Sequence, residues 1–339
     1  MEHKRRLARL APLALFLGGV AMAPQTALAT CASGTCYLVT GHGEGVLAPH
    51  QGVMDLSYRY IPQDRMLSGG RSVSEVYVPA VDFAGRTLIL DHHRELRTIN
   101  MLAQVDLSYG ITPALTLAVS VPFYNRRLHE HFDDVDLSVP DPGTFTSADG
   151  SDGFGDVAVT ARYAVHGGER HLVVAGVGVK TPTGEYKLRN HLGEINEPTV
   201  MPGSGSWDGL FSLYGSYRIV PDAVTGFVSA SYRMNRANPL DYRRGDVTTL
   251  SAGAWGEVTE GITLSGQVNA VRQGRDHYAP WGDVPNTGST MVFVTPGVRL
   301  ATGHETSVYS HLQLPVREHV NESNLAPRYA LELGMTHAF

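Results

Sequence analysis

From about residue 51 to the C-terminus, apolar residues recur at every second position. That is the period of a β-strand with two unlike faces. One segment reads Ile99, Met101, Ala103, Val105, Leu107 and Tyr109, interleaved with Asn100, Gln104, Asp106 and Ser108. After a tight Gly110–Pro113 turn, Leu115, Leu117, Val119, Val121 and Phe123 alternate with Thr116, Ala118, Ser120, Tyr124 and Arg126. Val157, Val159, Ala161, Tyr163 and Val165 repeat the pattern, as do Phe211, Leu213 and Tyr217. About twelve strands are expected, near 51–61, 97–109, 114–126, 154–165, 171–182, 206–219, 223–235, 247–258, 262–273, 289–300, 305–317 and 327–339. Many approach twelve residues, well beyond the soluble average of about 5–6 and enough for a tilted strand to cross a bilayer core.

The connections between these segments alternate in length. Short ones fall at 110–113, 166–170, 221–222, 259–261 and 301–303; long ones fall at 62–96, 127–153, 183–205, 236–246, 274–288 and 318–326. A soluble sandwich also alternates apolar and polar residues, but it does not alternate loop lengths in this way. Short turns on one side and long loops on the other are the layout of an outer-membrane barrel with both termini inside the cell envelope. The final alternating segment, Tyr329, Leu331, Leu333 and Met335, ends in a free aromatic, Phe339. Such an ending looks like the signal read by the barrel-assembly machinery, although His337 stands where an apolar residue is commoner. The expected fold class is all-β: a transmembrane antiparallel up-and-down β-barrel of about 12 strands, over residues 51–339.

Composition changes the picture only at the N-terminus. Lys4, Arg5, Arg6 and Arg9 precede an apolar stretch from Leu10 to Met22, and Ala27-Leu28-Ala29 closes the segment. This is the three-part layout of a secretory signal peptide over residues 1–29, and its apolar run is short for a membrane-spanning anchor. Its removal takes away four bases and one acid and moves the formal charge from −6 to −9. An acidic exported chain is a poor nucleic-acid binder. Cys31 and Cys36 follow the cleavage site, and in an oxidising compartment a small local disulfide is the plain expectation. Their spacing is not that of a redox or haem motif, and no cofactor is implied. Residues 30–50 form a Gly-rich segment that either plugs the barrel or lies on its periplasmic rim.

Four further motifs carry a family resemblance. Gly153-Phe154-Gly155-Asp156 leads to Arg162-Tyr163, and the next strand ends in Lys180-Thr181-Pro182-Thr183-Gly184. Gly203-Ser204-Gly205-Ser206-Trp207-Asp208 and Thr295-Pro296-Gly297-Val298-Arg299 follow. Together these resemble the transporter-like outer-membrane barrel family named for the MetA pathway of phenol degradation. The resemblance implies passage of small, aromatic or apolar, molecules. Read physically, Gly153 and Gly155 permit a bend where a loop re-enters the barrel. Asp156, Arg162 and Lys180 point into the lumen, and strand-end geometry with a lumen ion pair is favoured there over a solute site.

Inward parity along the other strands selects Asp106, Arg126, Asp208, Arg218, Arg233, Glu257, Arg299, Arg317, Arg328 and Glu332, with Tyr124, Tyr214 and Tyr309. Twelve strands fall between filled eight-stranded barrels and open sixteen-stranded porins, so a narrow or partly plugged pore is expected. It leaves too little room to sheath a cytochrome. At the external rim, Asp91-His92-His93 and His129-Glu130-His131, with Asp133, Asp134 and Asp136, offer imidazole and carboxylate donors for a divalent metal. A solvated acidic loop surface is the plainer expectation for these residues. No Gly-x-Ser-x-Gly elbow lies on a strand-to-helix turn, so no catalytic activity is expected. Two functions follow: an outer-membrane channel for small molecules, or a barrel closed to flux whose long external loops do the recognising. Outer-membrane lipid is the surrounding partner in both.

Overall fold

The computed structural model describes residues 45–139 and 143–339. The signal segment and the Cys31–Cys36 pair lie outside the described residues. Among the described residues there is no helix, and twelve strands form one closed sheet. They are β1 (Gly52–Ser68), β2 (Thr87–Thr112), β3 (Leu115–Asn125), β4 (Ala158–Gly167), β5 (His171–Lys180) and β6 (Asp208–Val220). The second half comprises β7 (Val224–Met234), β8 (Val247–Thr259), β9 (Ile262–Gln273), β10 (Ser289–Ala301), β11 (Thr306–Val320) and β12 (Ala330–Ala338). Each pairs antiparallel with its neighbours in sequence, and β12 closes on β1 from Val53↔Ala338 to Tyr60↔Leu331. The closure ends in a reciprocal pair of backbone bonds between Gly52 and Phe339, at 2.7 and 2.8 Å. The sequence expectation of twelve strands joined by alternating short and long connections is met throughout.

Alternation assigns the faces. Leu107, Leu117, Val177, Leu213, Val228, Leu250 and Leu333 are exposed on the outside. Asp55, Gln104, Asp106, Thr116, Ser120 and Thr160 are buried on the inside. Aromatic residues flank the apolar belt: Phe123, Phe154, Trp207 and Tyr232 toward the long loops, Tyr109, Tyr163, Tyr217 and Phe339 toward the short turns. This is the banded exterior of a membrane barrel. Beyond Ile99 charged residues enter the exterior of β2, with Arg97 paired to Glu130 at 2.8 Å and Arg94 to Glu75 at 2.9 Å. The strand's first dozen residues therefore stand clear of the membrane.

Among the expected lumen residues parity fails at two places, each with a local cause; a further register shift, between Glu95 and Arg97 of β2, turns His93 and Glu95 inward beside Thr98 and Asn100. Between Val292 and Phe293 the β10–β11 register shifts, so Arg317 opposes Val292 while Pro315 opposes Phe293. The extra residue is a β-bulge, which moves every following side chain to the opposite face. Arg317 is consequently exposed, and Glu318 faces inward to meet Arg65 at 2.5 Å. A second shift, between Gln63 and Arg65 of β1, coincides with the break between Ser323–Pro327 and β12. Arg328 sits in that break, exposed, with its guanidinium on Asp64 at 3.0 Å. Both residues were expected in the lumen, and neither is there.

The belt makes a direct prediction. Val177→Arg on the lipid face should destabilise the bilayer-folded barrel by about 2–4 kcal/mol if the residue lies at mid-depth. The inner-face change Ser229→Thr should cost no more than about 0.5 kcal/mol. Urea titration of folding into vesicles, read by tryptophan fluorescence, checks both.

Candidate channel lumen

The external ends of β4, β5 and β6 bring the glycine-rich motifs together. Lys180 is directly opposite Asp208 in the β5–β6 register, and Asp156 lies just before β4. The Lys180 ammonium sits 2.5 Å from Asp156 Oδ2 and 2.8 Å from Asp208 Oδ2, with all three side chains sealed from solvent. Two carboxylates on one buried ammonium are tolerable only if other donors satisfy the remaining oxygens. They do. Asp156 accepts the backbone N–H of Gly184 (2.9 Å) and of Ser204 (2.8 Å), and the Ser204 hydroxyl at 2.8 Å. Asp208 accepts the Ser206 hydroxyl and the Arg236 N–H, each at 2.9 Å. The cluster thus clamps both ends of the long connection 181–207.

Three glycines make the clamp possible. A Cβ on Gly184 would stand 2.7 Å from Gly203 Cα and 2.8 Å from the Gly155 carbonyl carbon; one on Gly203 would stand 2.3 Å from Gly184 O. Backbone stacks on backbone here, leaving no room for a side chain. That is the physical content of the motif.

Between its clamped ends, the connection folds inward. Met201 is buried, and Arg126, also buried, donates to the carbonyls of Met201 (3.0 Å) and Val200 (3.3 Å) and to Asn100 Oδ1 (2.7 Å). Its guanidinium stacks over the Tyr124 ring at 4.2 Å. Arg244, from the connection after β7, donates to the carbonyls of Gly203 (3.0 Å), Met201 (3.4 Å) and Pro198. Two arginines thus hold one external loop within the wall. Arg233 faces inward on β7, in register with Leu210.

Toward the short turns, a second polar network runs along the inner wall across β11, β12 and β1. Arg59 Nε lies 2.8 Å from Glu332 Oε1, and the second oxygen of Glu332 is 3.4 Å from His311 Nδ1. Tyr309 donates to Asp55 at 2.7 Å, Thr336 donates to the same carboxylate at 2.8 Å, and Arg299 lies 5.0 Å from the Tyr309 ring. Asp106 accepts from Gln104 at 2.8 Å, and Arg162 donates to Ser108 at 3.1 Å. Tyr214 packs on Phe227 and Val174, with Val46 against them. Leu47 hydrogen-bonds Thr116 Oγ1 at 2.7 Å. The chain just before β1 therefore enters the periplasmic mouth. Arg218 is half-buried at this end. Glu257 departs from its expected lumen place: it is exposed and accepts the Gly261 N–H at 2.8 Å, capping a short turn.

Above the inward loop lies a cavity of about 160 Å³. Val81, Val284, Met291 and Leu325 supply its apolar wall; Arg126, Arg244, Asn100 and Glu197 supply its polar one.

Beside it, the rim histidines gather. A short strand, His129–Asp133, pairs with the extension of β2 (Glu95↔His131, Thr98↔His129), so alternation turns His129, His131 and Asp133 to the inner face with His93 and Glu95. His92, His93, His131 and His129 form a row with ring centroids 4.5, 4.8 and 4.6 Å apart. Burial lowers the proton affinity of His93, but the Glu197, Asp133 and Glu95 carboxylates outweigh it and push the pKa up to about 9. At His131 burial and the neighbouring His129 act together, bringing it down to about 4. Burial raises the Glu95 carboxyl to about 7.

Sequence parity does not reach several residues of these sites. Asp55 and Arg59 alternate on β1 and were legible in principle. Arg244, Glu197 and Asp149 come from irregular loops, where no period marks which way a side chain points.

No family model matches the chain, and no curated protein matches it. Among solved structures, an outer membrane channel from Pseudomonas putida F1 superposes with a TM-score of 0.61 at 13% identity, covering 89% of this chain and all of that one. The fold is that of a bacterial outer-membrane β-barrel. The NanC porin (TM-score 0.45, 8% identity, 84% of this chain and 98% of its own) and the KdgM porin (0.41, 8%, 84% and 99%) are more distant.

Removing the clamp's cation should be costly. Lys180→Met leaves Asp156 and Asp208 buried against each other, a loss of about 3–5 kcal/mol. Limited proteolysis within 185–200 should become faster in this variant and in Gly203→Ala, while Glu169→Gln, exposed at a short turn away from the segment, is cleaved like the parent.

Proposed function

We propose that the protein is an outer-membrane channel for small molecules whose constriction is set by the inward-folded connection 181–207. The observation that carries this reading is the tethering of an external loop inside a closed, polar-lined barrel by Arg126, Arg244 and the Asp156–Lys180–Asp208 clamp. The cavity above that loop combines an apolar wall with arginine and asparagine. Such a lining suits a solute with an apolar body and one hydrogen-bonding group. The sequence resemblance to the phenol-pathway barrel family points to the same class, small aromatic or apolar compounds. Phe339, exposed at the end of β12, is the residue through which the assembly machinery would engage the chain.

A second reading has its own support. Arg126 and Arg162 are each 1% exposed, so the lumen at their level is filled rather than open. In that reading the barrel is closed to flux and the long external loops bind a partner. Planar-bilayer recording separates the two. The channel reading expects small, resolvable conductance steps in the parent and at least a twofold larger step in Arg244→Ala, whose loop has lost one tether. A silent parent together with a silent Arg244→Ala overturns it and leaves the closed barrel. Liposome swelling with phenol and with sugars of similar size then ranks the solutes.

A further inference from the structure

The rim histidines pose a problem that their hydrogen bonds do not solve. His92 Nδ1, His93 Nε2 and Asp133 Oδ1 stand at the corners of a triangle with edges of 3.0, 3.0 and 3.4 Å. Asp133 Oδ1 is buried and makes no well-formed hydrogen bond with either nitrogen. The next histidine in the row, His131, is 1% exposed, and neither ring nitrogen has a hydrogen-bond partner. Its Nε2 approaches Asp149 Oδ2 only to 3.6 Å. Buried polar atoms without hydrogen bonds are costly, and several in one place point to a ligand.

The triangle has the dimensions of one face of a coordination tetrahedron. Bonds of about 2.0–2.1 Å from a divalent metal to nitrogen and oxygen separate neighbouring donors by roughly 3.3 Å. The far side of each ring is also prepared. His92 Nε2 lies 3.1 Å from Asp134 Oδ1, and His93 Nδ1 lies 3.2 Å from Glu197 Oε1 without a hydrogen bond formed between them. A carboxylate behind each imidazole is the usual outer support of a metal-ligating histidine, fixing its tautomer and raising its basicity.

We propose that His92 Nδ1, His93 Nε2 and Asp133 Oδ1 bind a divalent first-row transition-metal ion at the external rim of the barrel. Two imidazoles and one carboxylate select zinc, copper or nickel over magnesium and calcium, which take oxygen donors. His131 adjoins His93 with ring centroids 4.8 Å apart, and Glu95, His129 and Glu197 form a second donor group along the cavity wall. The site is thus placed to hold an ion beside whatever enters the cavity.

Equilibrium dialysis of the untagged, detergent-solubilised barrel against zinc chloride tests the assignment. The expected result is one tight site that excess magnesium and calcium do not displace, with zinc absorption spectra showing imidazole scattering and donors at about 2.0–2.1 Å. Asp133→Asn and the double change His92→Ala/His93→Ala should each lower affinity at least a hundredfold. Glu197→Gln should lower it 10–100-fold by loosening His93. His166→Ala/His171→Ala, which removes a stacked pair at a periplasmic turn, should leave it unchanged. Heat-modifiable gel mobility confirms that each variant is folded. Unaltered affinity in folded Asp133→Asn and in the His92/His93 double variant overturns the proposal, as does an equal loss in the His166/His171 variant.

Discussion

Hydrocarbon offers no partner for a backbone N–H or C=O, so a chain that crosses it by strands must pair every strand on both sides. Closure of β12 on β1 is therefore the constraint on which everything else rests. The Val53↔Ala338 to Tyr60↔Leu331 ladder removes the last free edge. Once the cylinder is closed, period-two alternation becomes a division between lipid and lumen. Near-neutral mean hydropathy (−0.11) is then the average of two opposed surfaces.

Inside the closed cylinder, charged and polar side chains link neighbouring strands along the inner face. Arg59–Glu332 and Tyr309–Asp55 do so toward the short turns. Lys180 with Asp156 and Asp208 does so toward the long loops. Burying these charges is favourable only because each finds several partners. The same need gives the inward loop its fixed path, since its carbonyls are what Arg126 and Arg244 must bind. Constriction and wall stability are one network.

External to the membrane the physics changes. The extension of β2 pairs with His129–Asp133, carrying sheet geometry beyond the hydrocarbon, and past a register shift between Glu95 and Arg97 alternation again sorts side chains there. It sets His93, Glu95, His129, His131 and Asp133 on one inner face. Residues from irregular loops, Glu197 and Asp149, complete the group. Rim chemistry is thus built on a rigid sheet and finished by loops.

The twelve strands, their connections and most lumen-facing positions were legible in the chain, because alternation and loop length are local properties. Asp106, Arg126, Asp156, Arg162, Lys180 and Glu332 follow from parity alone. Arg317 and Arg328 do not, because a bulge or a strand break reverses parity without a marker in composition. Glu257 keeps its parity but stands at the short-turn end of β8, where it is exposed and accepts the Gly261 N–H. The motif glycines were visible as a motif, but the stacking of Gly155, Gly184 and Gly203 joins segments far apart in sequence. The same holds for the inward path of 181–207 and for the meeting of His92 and His93 with Asp133. One residue's side of a strand is set by its neighbours along the chain; what it touches across the lumen is set by closure, which only the tertiary structure supplies.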